Sequence, residues 1–350
     1  SVLQTTLSRL EPLDEGAMAQ ARARQDLLTK PQGSLGRLES LSVQIAGISR
    51  QLTPSLTHKA VIVMAGDHGV AREGVSAYPA EVTPQMVLNF LRGGAAINVL
   101  ARHAGARVVV ADVGVAYDFE PHPRLLQYKV SYGTQNMVSG PAMSRAQAIQ
   151  AVEAGIRAVE HELAEGLDLL GTGDMGIGNT TASSAVTAAI TGRPVSEVTG
   201  RGTGLDERQM ARKVDTIERA LAFNRPDGGD PLDVLSKVGG FEIGGIAGLI
   251  LGAAAHRIPV VIDGFISGAG ALVAAGLHAG ARSYRVAAHK SVEVGHRAIL
   301  DHLGLDPLFD LDMRLGEGTG AALAMTVVEA AVRILGEMAT FSEAGVSTAD

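Results

Sequence analysis

Two hydrophobic rhythms divide the chain. Over residues 1 to about 55, Leu3, Leu7 and Leu10, then Leu38, Leu41, Ile45 and Ile48, recur at spacings of three and four, the period of a helix with one buried stripe. Pro31-Gln-Gly-Ser-Leu-Gly36 separates the two helical stretches. From Lys59 onward the pattern changes to short branched runs that end in Gly or Asp, at residues 60–65, 107–113, 169–170 and 259–263. Such unbroken runs read as strands buried on both faces. Helix-length segments lie between them. The clearest is 144–164, where Ser144 and Gln147 predict a capping box and Ile149, Val152, Ile156, Val159 and Leu163 form one stripe.

Strand, helix, strand alternation implies α/β architecture: a doubly wound, mostly parallel, Rossmann-like sheet with right-handed crossovers. Ligands then collect beyond the carboxyl ends of the strands, and the glycine loops after Ala65, Val113, Leu170 and Asp263 are expected to converge there. No linker-like segment follows residue 60. We therefore expect one large unit over residues 56–320. Residues 1–55 and 321–350 are the candidates to form a small helical domain together.

Composition narrows the chemistry. With 350 residues and 46% hydrophobic content the chain can bury a sizeable core. The lack of cysteine excludes disulfides, thiolate zinc sites and cysteine nucleophiles, and fits a reducing cytoplasm. A formal net charge of −7 and no long basic run argue against a nucleic-acid surface, which leaves small molecules as the expected partners. The N-terminus, Ser1-Val-Leu-Gln-Thr-Thr-Leu7, lacks the features of a signal peptide. The apolar regions 243–255 and 259–277 read as buried core and not as membrane spans, because the second carries Asp263 and several glycines.

Gly171-Thr-Gly-Asp-Met-Gly-Ile-Gly-Asn-Thr-Thr181 reads as strand end, glycine turn and helix start. Glycines let a ligand approach the backbone, and Asn179, Thr180 and Thr181 stand where amide donors and a helix dipole would meet a phosphate. Gly171, Gly173 and Gly176 also satisfy G-x-G-x-x-G, but the acid that a dinucleotide site needs about 20 residues on is represented only by Glu197. Asp67 and His68 emerge at the expected crevice, as a functional pair or as a turn cap and a histidine satisfied by backbone carbonyls. No histidine pair has metal-ligand spacing, so no metal is expected. The 199–204 turn precedes a helical stretch with Arg212 and Lys213, which could reach a phosphate or lie on a solvated face. Glu242 and Asp263 are single acids in apolar, glycine-rich surroundings, where a buried acid needs a partner or a purpose. Glu317, between glycines before the apolar C-terminal helix, suits proton transfer or a favourable helix N-terminal charge. A nicotinamide-dependent dehydrogenase and a non-catalytic nucleotide sensor both remain compatible with these loops.

Six motifs in order carry a resemblance over nearly the whole chain: Lys30-Pro-Gln-Gly-Ser-Leu-Gly-Arg-Leu-Glu39, Ala65-Gly-Asp-His-Gly-Val70, Gly176-Ile-Gly-Asn-Thr-Thr181, Thr199-Gly-Arg-Gly-Thr-Gly204, Asp263-Gly-Phe-Ile-Ser267 and Arg314-Leu-Gly-Glu-Gly-Thr-Gly320. The chain resembles the nicotinate-nucleotide:dimethylbenzimidazole phosphoribosyltransferase family, which assembles the lower-ligand nucleotide of cobalamin. That resemblance implies transfer of phosphoribose from nicotinate mononucleotide to 5,6-dimethylbenzimidazole, without metal or cofactor, by a homodimer. It implies Glu317 as general base with Asp174 as a second catalytic residue. Phosphate and ribose contacts would come from Gly176, Ile177, Gly178, Asn179, Thr180, Gly202, Thr203, Lys213, Asp263 and Ser291, and the base pocket from Ser76, Tyr78, Pro79, Gln85, Met86 and Leu315. The chain departs from the family at residue 174, where Asp stands in place of the usual Glu.

Overall fold

In a computed structural model, which describes residues 1–202 and 204–347, six parallel strands form one sheet. They are β1 (Lys59–Gly66), β2 (Ala106–Gly114), β3 (Leu125–Gln127), β4 (Leu169–Met175), β5 (Val260–Ile262) and β6 (Arg285–Ala287), in the order β3-β2-β1-β4-β5-β6. The apolar runs named above account for β1, β2, β4 and β5. The other two are three residues each, and their polar members Gln127 and Arg285 hide them from a hydrophobic pattern.

One strand extends several residues beyond its apolar run. β4 continues through Gly171 and Gly173 to Met175, so the turn comprises only Gly176 to Gly178. These strand glycines make room for the helix Thr319–Glu337: a Cβ on Gly171 would lie 2.8 Å from Met325 Cε, and one on Gly173 would strike the Glu317 carbonyl oxygen. The G-x-G-x-x-G match therefore dissolves, since that fingerprint needs its glycines in the phosphate turn.

Both sheet faces are covered. Ile62 and Met64 of β1 join one apolar cluster with the helices Arg145–Ala164 and Phe241–Ala255. Val61, Val63 and Ala65 join another with Arg37–Ser49, Ala96–Ala104 and Thr319–Glu337. Alternation along a strand produces this division. Ser144 and Gln147 form the expected capping box, Gln147 N donating to Ser144 Oγ at 3.2 Å and Ser144 N to Gln147 Oε1 at 2.9 Å. The apolar helices Phe241–Ala255 and Phe265–Leu277 are buried. Among the described residues only Thr319–Glu337 is long and apolar enough to cross a membrane, and 56% of its apolar window is buried in the fold.

The two ends of the chain meet. Arg24 Nε donates to the Leu335 carbonyl at 2.7 Å, Thr29 N donates to the Ala339 carbonyl at 3.0 Å, and Leu28 bridges Thr340. Thr319–Glu337 belongs to the sheet as much as to this helical group, because Ala321, Met325 and Val328 pack with Val61 and Val63.

Candidate active site

Strand order reverses between β1 and β4, and crossovers that leave in opposite directions there open a crevice at the carboxyl edge. A cavity of about 530 Å³ occupies this edge. It is walled by the end of β4 (Asp174, Met175) and by segments following β1 (Tyr78, Val82, Met86), β4 (Gly176, Ile177, Asn179, Thr180), β5 (Gly264 to Ile266) and β6 (His289, Ser291, Glu293), with Gly202 and the loop 314–317.

Glu317 has the least ordinary backbone of the group. It is a non-glycine residue in the left-handed region, φ 63°, between Gly316 at 85° and Gly318 at 96°. Its side chain is buried, and Oε2 accepts from Ile97 N at 3.2 Å, in the first turn of Ala96–Ala104. Burial pushes its carboxyl above the ordinary range; the Ile97 amide opposes this and the charge of Asp263 adds to it. The net result is a stronger base than an exposed glutamate.

Asp174, at the end of β4, is also buried. Asn179 Nδ2 donates to its Oδ2 at 3.0 Å. Burial holds its carboxyl well above the ordinary range, reinforced by the charges of Asp263 and Glu242. Gly316 lies alongside, where a Cβ would stand 3.1 Å from Asp174 Oδ2. The two acids thus share one wall.

The helix Asn179–Thr191 starts at Gly178, φ 92°, with no side-chain cap. Its open end faces the cavity through Asn179 and Thr180, the arrangement that seats an anion. Lys213 lies behind that wall and donates to Thr180 Oγ1 at 2.8 Å and to the Gly200 carbonyl at 3.2 Å. Burial lowers its amine to about 8, against the opposing charge of Glu293.

His68 and Glu242 form a fully buried pair, His68 Nε2 to Glu242 Oε1 2.7 Å. Burial alone would lower the imidazole, but Glu242 outweighs it and the net shift is upward. The ring lies under the glycine turn, where a Cβ on Gly178 would be 3.4 Å from His68 Cβ. Asp67 Oδ2 accepts from Ala116 N at 2.8 Å and ties the β1 and β2 loops together.

A family model described as phosphoribosyltransferase matches residues 10–346 of this chain. The chain belongs to the phosphoribosyltransferase family. It is 65% identical over 347 residues, 99% of this chain and 98% of the relative, to the nicotinate-nucleotide–dimethylbenzimidazole phosphoribosyltransferase of Roseiflexus sp. (strain RS-1). A relative of the same name from Chloroflexus aggregans is 64% identical at the same coverage. A crystal structure of CobT from Thermus thermophilus superposes with a TM-score of 0.92 at 52% identity, covering 95% of this chain and all of that one. The chain is thus an enzyme, a pentosyltransferase of α/β fold.

Of the residues that the phosphoribosyltransferase resemblance selects, Tyr78, Met86, Asp174, Gly176, Ile177, Asn179, Thr180, Gly202, Ser291, Leu315 and Glu317 line the cavity. Gly178 turns the chain behind it. Lys213 stands one residue back, behind Thr180. Ser76 is half-buried with its Oγ accepting from Tyr78 N, while Pro79 and Gln85 are exposed and off the cavity wall, which Val82 and Met86 form from one helix face. Thr203 lies outside the described residues. Asp263 differs most from its expected place, because its carboxylate is taken up by backbone amides of residues 318–321 and does not line the cavity. Sequence reasoning passed over Phe265, Ile266, His289, Glu293 and Arg314 as wall residues. Phe265, Ile266 and Arg314 stand in quoted motifs, but His289 and Glu293 follow β6, which the hydrophobic pattern does not show.

Proposed function

We propose that the enzyme transfers phosphoribose from nicotinate mononucleotide to 5,6-dimethylbenzimidazole or a related aromatic base, giving α-ribazole 5′-phosphate and nicotinate. The observation that carries this reading is the conjunction, in one cavity, of a buried base at Glu317 and an uncapped helix N-terminus backed by Lys213. The first can take a proton from an azole; the second can hold a phosphate. Val82, Met86 and Leu315 supply apolar wall for a flat aromatic base.

N-linked nicotinate is a pyridinium and leaves readily, so the site has mainly to orient the reactants and stabilise an oxocarbenium-like ribose. A benzimidazole nitrogen forms the new bond to C1′ as the bond to nicotinate breaks. Glu317 accepts the proton from the opposite ring N–H. Attack from the face opposite the leaving group converts a β-nucleotide into an α product. The resemblance further supports a homodimer, which light scattering checks.

Incubation with both substrates, followed by mass analysis for nicotinate and α-ribazole phosphate, tests the activity. Glu317→Gln should lower kcat about 10²–10⁴-fold and leave the KM for nicotinate mononucleotide within a few-fold. A parent-like single-turnover rate in that variant would remove Glu317 from the role.

A further inference from the structure

We propose that Asp263 is a positioning residue for the Glu317 loop and not a ligand contact. This rests on the reading of Glu317 as the base, and deepens it.

Three observations converge. Asp263 is 1% exposed, and its carboxylate accepts three backbone amides: Gly318 N on Oδ2 at 3.1 Å, and Gly320 N and Ala321 N on Oδ1 at 2.8 and 3.1 Å. These are the amides that follow Glu317. The helix Thr319–Glu337 has Gly318 as N-cap, which offers no side-chain acceptor of its own, so a carboxylate at the end of β5 caps it from a distance. Asp263 is itself anchored, its N donating to Thr172 Oγ1 of β4 at 3.2 Å, a hydroxyl that donates to Ser267 Oγ at 2.9 Å.

The second observation is the backbone of Glu317. A residue with a Cβ stays in the left-handed region only where its surroundings over-determine it. Gly316 and Gly318 absorb the turn on either side, but glycine alone leaves a loop free to move. Asp263 fixes the downstream side by gripping residues 318–321, and the Ile97 amide holds the carboxylate itself. The third is location: Gly318 packs against β1 and β4, where a Cβ on it would stand 2.6 Å from Val61 Cγ1 and 3.1 Å from the Thr172 carbonyl oxygen. Asp263 therefore registers the base against the two central strands.

Charge gives a readout that a purely structural clamp would not move. The charges that bear on Glu317 are Asp263 beyond β5 and Asp174 from β4, and the other titratable and charged groups of the same cavity are Tyr78, His289, Glu293 and Arg314. Asp263 is negative and favours the protonated form of Glu317. Removing that charge lowers the pKa of Glu317, so the acidic limb of the kcat profile moves to lower pH.

The experiment compares D263N, E317Q and the double variant. D263N keeps the shape but replaces one acceptor oxygen by an amide nitrogen. We expect its kcat to fall at least about ten-fold, with the KM for nicotinate mononucleotide within about three-fold and the acidic limb displaced downward. In the E317Q background the same change should cost less than about three-fold, because a positioning residue acts through the group it positions. A D263N enzyme with parent kcat, a loss that appears in KM alone, or an undiminished loss in the E317Q background would each overturn the proposal. A parent-like E317Q would instead bring down the base reading and this proposal with it. Should D263N not fold, T172V removes only the hydroxyl that accepts the Asp263 amide. A several-fold lower kcat at unchanged KM then supports the assignment, and an unchanged kcat overturns it.

Discussion

A carboxylate kept from water by burial and surrounded by other carboxylates resists ionisation, and Asp174 is such a group. The sign of its effect on stability follows. A pKa raised in the folded state contributes stability that is complete below the unfolded value of 3.8 and is lost as pH climbs through the folded value. Asp174→Asn removes that dependence. The variant should melt higher than the parent near pH 8, with the gain shrinking toward pH 4, in thermal scans across that range. An unchanged difference at all pH values would trace the effect to packing and not to charge. Activity should move the other way, and Asp174→Glu, the residue that the resemblance leads one to expect there, should keep or raise it. At this scale the sequence points to candidate side chains more readily than to where they face. Glu317 and Asn179 could be picked as candidates because glycine turns advertise themselves, whereas Asp174 came only with the family resemblance. That Asp263 faces amides of residues 318–321 depends on a pairing of loops 55 positions apart, which no local pattern encodes.

The helices Asn179–Thr191 and Glu207–Asn224 together form the proposed anion seat, one through its open N-terminus and the other by pressing Lys213 behind Thr180. An amine held down at about 8 is charged at neutral pH and discharges within reach of ordinary buffers. Affinity for nicotinate mononucleotide should therefore weaken as pH rises through about 8, while that for dimethylbenzimidazole, which has no phosphate, should not follow. Lys213→Met should remove the step and weaken the nucleotide far more than the base, as read by calorimetry with each ligand. Equal losses for both ligands would contradict the assignment. Legibility at this scale depended on length and on an unbroken apolar run, which the three-residue β5 has and β3 and β6 lack. Helix Arg145–Ala164 and strands β1 and β2 are long enough to show a period, whereas β3 and β6 are paired into the sheet edges by neighbours that a three-residue window cannot reveal.

Across the molecule, the buried His68–Glu242 pair ties the β1 loop to the helix Phe241–Ala255 beneath the glycine turn. The imidazole is raised in the folded state, so the pair contributes stability fully below the ordinary histidine value of 6.5 and loses it as pH rises through the folded value. Denaturant unfolding of the parent should show falling stability above neutral pH, and His68→Gln should flatten that part of the profile. A parent curve parallel to that of the variant would exclude the pair as the source. The doubly wound class was readable from alternation alone, because it follows from which segments are apolar and how long they are. The cavity was not, since it gathers loops from β1, β4, β5 and β6 with residues 314–317. That last segment has a consequence during synthesis. Chains emerge N-terminus first, so all six strands and the helix Asn179–Thr191 are synthesised before Glu317 and the helix Thr319–Glu337. Without that helix Val61, Val63 and Gly171 would lose their apolar cover. A translation product cut short near residue 310 would lack both the Glu317 loop and the cover over those residues, so the last stretch to be synthesised completes the core and the cavity wall together.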